Sequence, residues 1–147
     1  KENVSFGTLS GAAITTGINN TCLGDSAGRA VTSGFRNTAL GASAGWSTTS
    51  GWDNTMIGAE AGRQLTTANS NTLVGAYAGS VITTGPANTM VGFAAGRAIT
   101  SGIGNLGLGI YAGGYNSTGN QNIHIGTYSG YAMTRRVYEK TQWRGKK

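Results

Sequence analysis

The chain has 147 residues, the length of one domain, with 26 glycines, a single cysteine and a net charge of +6. One cysteine excludes an intrachain disulfide. Residues 135–147 hold six basic and one acidic side chain, and residues 1–134 hold five and four, so +5 of the charge sits in the last thirteen residues; a uniformly basic nucleic-acid groove is excluded.

In chain order, the first element opens at Asn3, with Gly7 four residues on and Gly11 eight residues on. The pattern returns at Asn20, Asn37, Asn54, Asn71, Asn88, Asn105 and Asn122, each with its two glycines at the same offsets. The unit is N-T-x-Φ-G-x-x-A-G-x-x-Φ-T-[ST]-G-x-x, where Φ is aliphatic or Phe, in eight copies at a period of 17. A phase kept this strictly separates the chain from glycine-rich disorder. Seventeen residues is too short for a helix-pair repeat, and two fixed glycines per unit oppose helix. The unit predicts two short strands, N-T-x-Φ and x-x-Φ-T-[ST], with glycine bends between them. Eight units stacked in register predict an all-β parallel β-solenoid over residues 1–134, its coils about 4.8 Å apart. The Asn column predicts an amide ladder.

Two neighbouring columns carry most of the apolar side chains. Unit position three reads Ser5, Cys22, Ala39, Met56, Leu73, Met90, Gly107 and His124; position four reads Phe6, Leu23, Leu40, Ile57, Val74, Val91, Leu108 and Ile125. Alternation along a strand sends one column inside and the other outside. With position four filling the coil, Cys22, Ala39, Met56, Leu73 and Met90 form an outer stripe that needs a partner, and another copy of the chain is the simplest one. The core inside each coil is thin, which also favours assembly.

Aromatic and basic side chains gather in the variable columns. Position seven includes Tyr77, Tyr111 and Tyr128; position ten reads Arg29, Trp46, Arg63, Ser80, Arg97, Gly114 and Tyr131 after Ala12. Aromatic faces beside Arg suit sugar rings and acidic groups, and they equally suit packing against a neighbouring chain. Residues 135–147, RRVYEKTQWRGKK, break the period. They form the last predicted element, a cap or tip in which Val137, Tyr138 and Trp143 cover the final coil and Arg135, Arg136 and Arg144 attract an anionic surface.

The phrase N-T-x-Φ-G-x-x-A-G followed by T-[ST]-G, over residues 3–134, resembles the Asn-Thr-Gly repeats of bacteriophage tail fibres and tailspikes. It is similar, more loosely, to the head repeats of trimeric autotransporter adhesins. The resemblance implies a homotrimeric fibre in a virion tail, assembled in the host cytoplasm beside other tail proteins, that attaches to bacterial surface polysaccharide or lipopolysaccharide. The residues expected at the receptor are Tyr111, Tyr128, Tyr131, Arg135, Arg136, Tyr138, Trp143 and Arg144. A polysaccharide depolymerase, an adhesin head and an ice-binding solenoid are the alternatives.

Other constellations carry less. GIGNLG at 102–107 has the spacing of a dinucleotide loop, but its glycines fall on repeat positions and no helix pattern follows. Asp25, Asp53 and Glu60 supply carboxylates for a glycosidase pair, though solvated turn acids explain them as well. His124, the single histidine, lacks companions for a metal site within one chain, so no metal or cofactor is expected. Thr15, Thr32, Thr49, Thr66, Thr83 and Thr100 form one column, where an ice-binding face would need two columns side by side.

Overall fold

The structure, a computed structural model, describes residues 2–114 and 117–131. Each unit contributes one three-residue strand: β1 (Val4–Phe6), β2 (Thr21–Leu23), β3 (Thr38–Leu40), β4 (Thr55–Ile57), β5 (Thr72–Val74), β6 (Thr89–Val91), β7 (Leu106–Leu108) and β8 (Ile123–Ile125). They form one parallel sheet in the order β1 to β8, with residue i paired to residue i+17 at every step, as in Ala39 with Met56 and Leu73 with Met90. This is the all-β parallel solenoid that the period predicts. The segment 135–147, expected as a cap or tip, lies outside the described residues.

The second predicted strand is not one. In coils one and two, three successive N–H groups converge on a single carbonyl of the next coil: those of Thr32, Ser33 and Gly34 donate to the Thr49 oxygen at 2.9, 3.2 and 3.1 Å. A ladder would send alternate groups to opposite sides. The glycine at position fifteen and a left-handed residue at position seventeen, such as Arg36 (φ 55) or Asp53 (φ 56), curl the chain there instead. One isolated bridge, Phe35 with Trp52, is the pairing seen outside the main sheet among the described residues.

The two apolar columns are also exchanged relative to expectation. Cys22, Ala39, Met56, Leu73 and Met90 are buried inside their own chain, Cys22 and Leu73 completely so. They join Ala27, Ala44, Ala61, Ala78, Ala95, Leu65, Ile82 and Ile99 in one core. They are therefore not available as the trimer interface assigned to them. The reason is strand parity. Asn20, Asn37, Asn54, Asn71, Asn88 and Asn105 are buried, and position three, two residues further on, shares their face. Position four points out: Leu40 is 42% exposed, and Phe6, Val91 and Ile125 are exposed as well.

The irregular sizes in position three are matched between neighbours. Met56 reaches towards coil three, with its Cε 2.7 Å from where a Cβ on Gly45 would lie, and fills space beside the small Ala39. Met90 reaches the other way, with its Sδ 2.7 Å from a Cβ position on Gly107, and fills coil seven. An unbranched thioether suits such gaps.

The Asn ladder holds the coils together. Asn54 Nδ2 donates to Asn37 Oδ1 (3.0 Å) and to the Ala68 carbonyl (2.9 Å). Its own Oδ1 accepts from the backbone N–H and the side-chain Nδ2 of Asn71, both at 3.1 Å. The same pattern links Asn20 to Asn37 and Asn88 to Asn105.

Candidate binding surface

The solenoid spaces identical positions by one strand repeat, so side chains that recur in a column touch. Tyr77, Phe93, Tyr111 and Tyr128 form a ring ladder over coils five to eight, with centroids 5.8, 5.6 and 5.4 Å apart. The first two contacts are edge-to-face and the last is stacked, both favourable for aromatic pairs. Tyr131 stands edge-on to both Tyr111 (5.3 Å) and Tyr128 (5.1 Å). The structure thus brings together Tyr111, Tyr128 and Tyr131 of the expected receptor set; Arg135, Arg136, Tyr138, Trp143 and Arg144 lie outside the described residues. Phe93 was missed because it occupies position six, one column away from the tyrosines. Neighbouring columns meet around a bend, and reading each column alone hides that.

Tyr77, Tyr111 and Tyr128 hold left-handed backbone, φ 61, 54 and 59, as every residue at position seven does. That conformation is uncommon for large side chains. It recurs in every coil between the glycines of positions five and nine, and the N–H groups of Tyr77 and Tyr111 are tied to Ala59 and Phe93 of the preceding coils.

Beside the ladder, Arg97, Ala98, Tyr111, Gly114 and Tyr131 line an open hollow of about 310 Å³. Its walls include no carboxylate. At the other end of the solenoid the surface groups satisfy one another. Phe35 stacks on Trp52 (5.8 Å, 2° between planes), and Arg36 lies over Phe35 while its Nε and Nη2 donate to the two carboxylate oxygens of Asp53. Arg63 pairs with Glu60 at 3.4 Å, and Arg29 covers Trp46. Two of the three acids considered for glycosidic chemistry are thus engaged by arginines, and Asp25 is exposed.

The Thr column has a structural task. The hydroxyls of Thr32, Thr49, Thr66 and Thr83 donate to the carbonyl seventeen residues on, at 3.1–3.3 Å. Their hydrogens are committed to the neighbouring coil.

Two titratable groups enter the core. Burial pushes the Cys22 thiol up to about 11, so it stays protonated near neutrality. His124 continues position three into coil eight, facing Gly113 and Gly130, with Nε2 buried and unpartnered among the described residues. It points into its own coil. Among the described residues no three metal-ligating side chains come together.

Burial lowers the His124 pKa from its usual 6.5. The folded value lies below the unfolded one, so the unfolded chain binds the proton more readily. The stabilisation is whole above about pH 6.5 and is lost as pH falls through the folded value. Acidification from about pH 7 to about pH 5 should therefore lower the amide protection factors, exchange rates divided by the intrinsic rate at each pH, at Gly126 and Tyr128, whose N–H groups are held by the Leu108 and Ile110 carbonyls, and His124→Met should remove that dependence.

Comparison with protein-family models, curated proteins and solved structures finds no match to this chain.

Proposed function

We propose that the chain is a non-enzymatic, self-associating fibre segment, a homotrimeric shaft of the tail-fibre kind that attaches to bacterial surface polysaccharide. The observation that carries this reading is the outward column Phe6, Leu23, Leu40, Ile57, Val74, Val91, Leu108 and Ile125. It runs the length of the sheet without a charged member, and Val4, Leu106 and Ile123 extend it on the same strand face. A continuous apolar stripe on a soluble surface marks an interface. Its repeat matches that of any identical neighbour, so three copies lying side by side bury equivalent residues in every coil. The partner-facing stripe is thus position four in place of position three. The tail-fibre setting, its companion virion proteins and the host surface come from the sequence resemblance.

Sedimentation of the full chain should give three times 14.9 kDa. Leu40→Lys together with Val91→Lys should yield a folded 14.9 kDa monomer, because exposed substitutions away from special features change stability by only about 0.5 kcal/mol. A wild-type chain that sediments as a monomer or a dimer overturns the trimer. A double variant that remains trimeric moves the interface elsewhere.

A further inference from the structure

We propose that the hollow between Arg97, Tyr111, Gly114 and Tyr131 binds one carboxylate-bearing sugar residue of an acidic polysaccharide. The inference rests on the surface-attachment reading above and deepens it by naming a site and a ligand class.

Three features converge. The first is charge. Between residues 64 and 134, Arg97 is the only side chain with a full charge at pH 7. Arg36 and Arg63 hold carboxylates and Arg29 lies over Trp46, whereas no ion pair or ring contact engages exposed Arg97 among the described residues. A guanidinium left open beside a hollow offers a two-pronged site for a carboxylate. A phosphate monoester, with up to two charges, calls for more cations than this surface supplies.

The second is shape. Tyr111 and Tyr131 meet at 73° with centroids 5.3 Å apart, so their rings form a corner. A pyranose packs its C–H groups against this aromatic wall. The volume of about 310 Å³ is at the lower end of the range for ligand sites, roughly 300–1,000 Å³, which suits a single ring.

The third is Gly114. Unlike the repeat glycines at positions five and nine, it does not sit at a left-handed backbone angle, so its conformation does not require glycine. The equivalent residues in the other coils are Ala12, Arg29, Trp46, Arg63, Ser80, Arg97 and Tyr131. A Cβ here would lie 2.7 Å from Tyr131 Cδ2. The missing side chain is what lets the Tyr131 ring lean against Gly114 and form that wall of the hollow.

The test uses the full chain, a galacturonate tetrasaccharide and its carboxyl-reduced, galactose counterpart, with binding followed by isothermal titration calorimetry and by the Arg97 Nε–H NMR signal. The acidic sugar should bind at least about tenfold more tightly than the neutral one, consistent with a charge-assisted hydrogen bond. Arg97→Gln should erase that difference. Gly114→Ser, whose Cβ displaces the Tyr131 ring, should weaken both sugars while leaving the assembly mass unchanged. Equal binding of the two sugars by the wild type overturns the proposal. So does a wild-type affinity for galacturonate that survives in both variants, which leaves attachment to polysaccharide standing at another surface. Failure to bind either sugar also overturns it, and the sedimentation result then judges the fibre reading separately.

Discussion

Replacing Asn54 by Leu should cost about 3–5 kcal/mol, enough to unfold much of a domain whose total stability is of order 5–15 kcal/mol. The side chain is buried and makes four hydrogen bonds in two directions. Leu removes the partners of the Ala68 carbonyl and the Asn71 backbone N–H, each left buried at about 1–3 kcal/mol. Asn37 Oδ1 keeps its bond from the Asn54 backbone, and Asn71 Nδ2 keeps the Asn69 carbonyl, so the loss stops short of all four. Asn54→Asp separates donor from acceptor. It still accepts from Asn71, but it sets a carboxylate against Asn37 Oδ1 and the Ala68 oxygen, so it should be the worse variant at neutral pH and recover as acid returns its proton. Urea midpoints at two pH values measure both. A loss below about 1 kcal/mol for Asn54→Leu would mean that the ladder merely accompanies the stacking of coils.

The ladder also explains what could be read in the sequence and what could not. The coil count and register were legible because eight Asn and sixteen Gly keep one phase without a slip. The amide ladder followed from the same column. The face assignment failed although the information was present: if Asn20 lies inside, Cys22 two residues on must lie inside too, and Leu23 must lie outside. The variation in position three, from Gly and Ala to Met, has its cause inside the coil. It is packing shared across coils, with Met56 beside Ala39 and Met90 beside Gly107. A size change in one coil is absorbed by the next, which no single unit reveals. The second strand was over-read for a different reason. Thr, Ser and aliphatic residues favour strands, but the left-handed residues at position seventeen are ordinary ones such as Arg36 and Ala87, and nothing in their side chains announces a bend. The aromatic ladder lay between these cases: its tyrosines share a column and were found, while Phe93 completes it from the next column.

The glycine columns permit the sharpest comparison, because identical substitutions should have very different effects. Gly58 has φ +130, a region that side chains rarely enter. A Cβ there would lie 2.5 Å from the carbonyl carbon of Gly75 and 2.9 Å from the Ala76 nitrogen, and both neighbours are backbone. Neither coil can yield: the Gly58 N–H is held by the Leu40 carbonyl and the Gly75 N–H by the Ile57 carbonyl, each at 2.7 Å. Gly58→Ala should therefore cost about 3–5 kcal/mol, from backbone strain added to overpacking. Gly104 also has a positive φ, +66, but its Cβ position has only Gln121 Cγ nearby, at 3.8 Å. The equivalent position one coil earlier already holds Ala87 at φ 59. Gly104→Ala should cost about 1 kcal/mol, the ordinary penalty of a left-handed residue. Limited proteolysis locates the damage. Gly58→Ala should open the chain between coils four and five, where the contact with Gly75 is made, and Gly104→Ala should leave the cleavage pattern unchanged. Equal losses in the two variants would show that left-handed angles alone set the need for glycine. A much larger loss at Gly58 is what its φ of +130 and the close approach of consecutive coils together predict for column five.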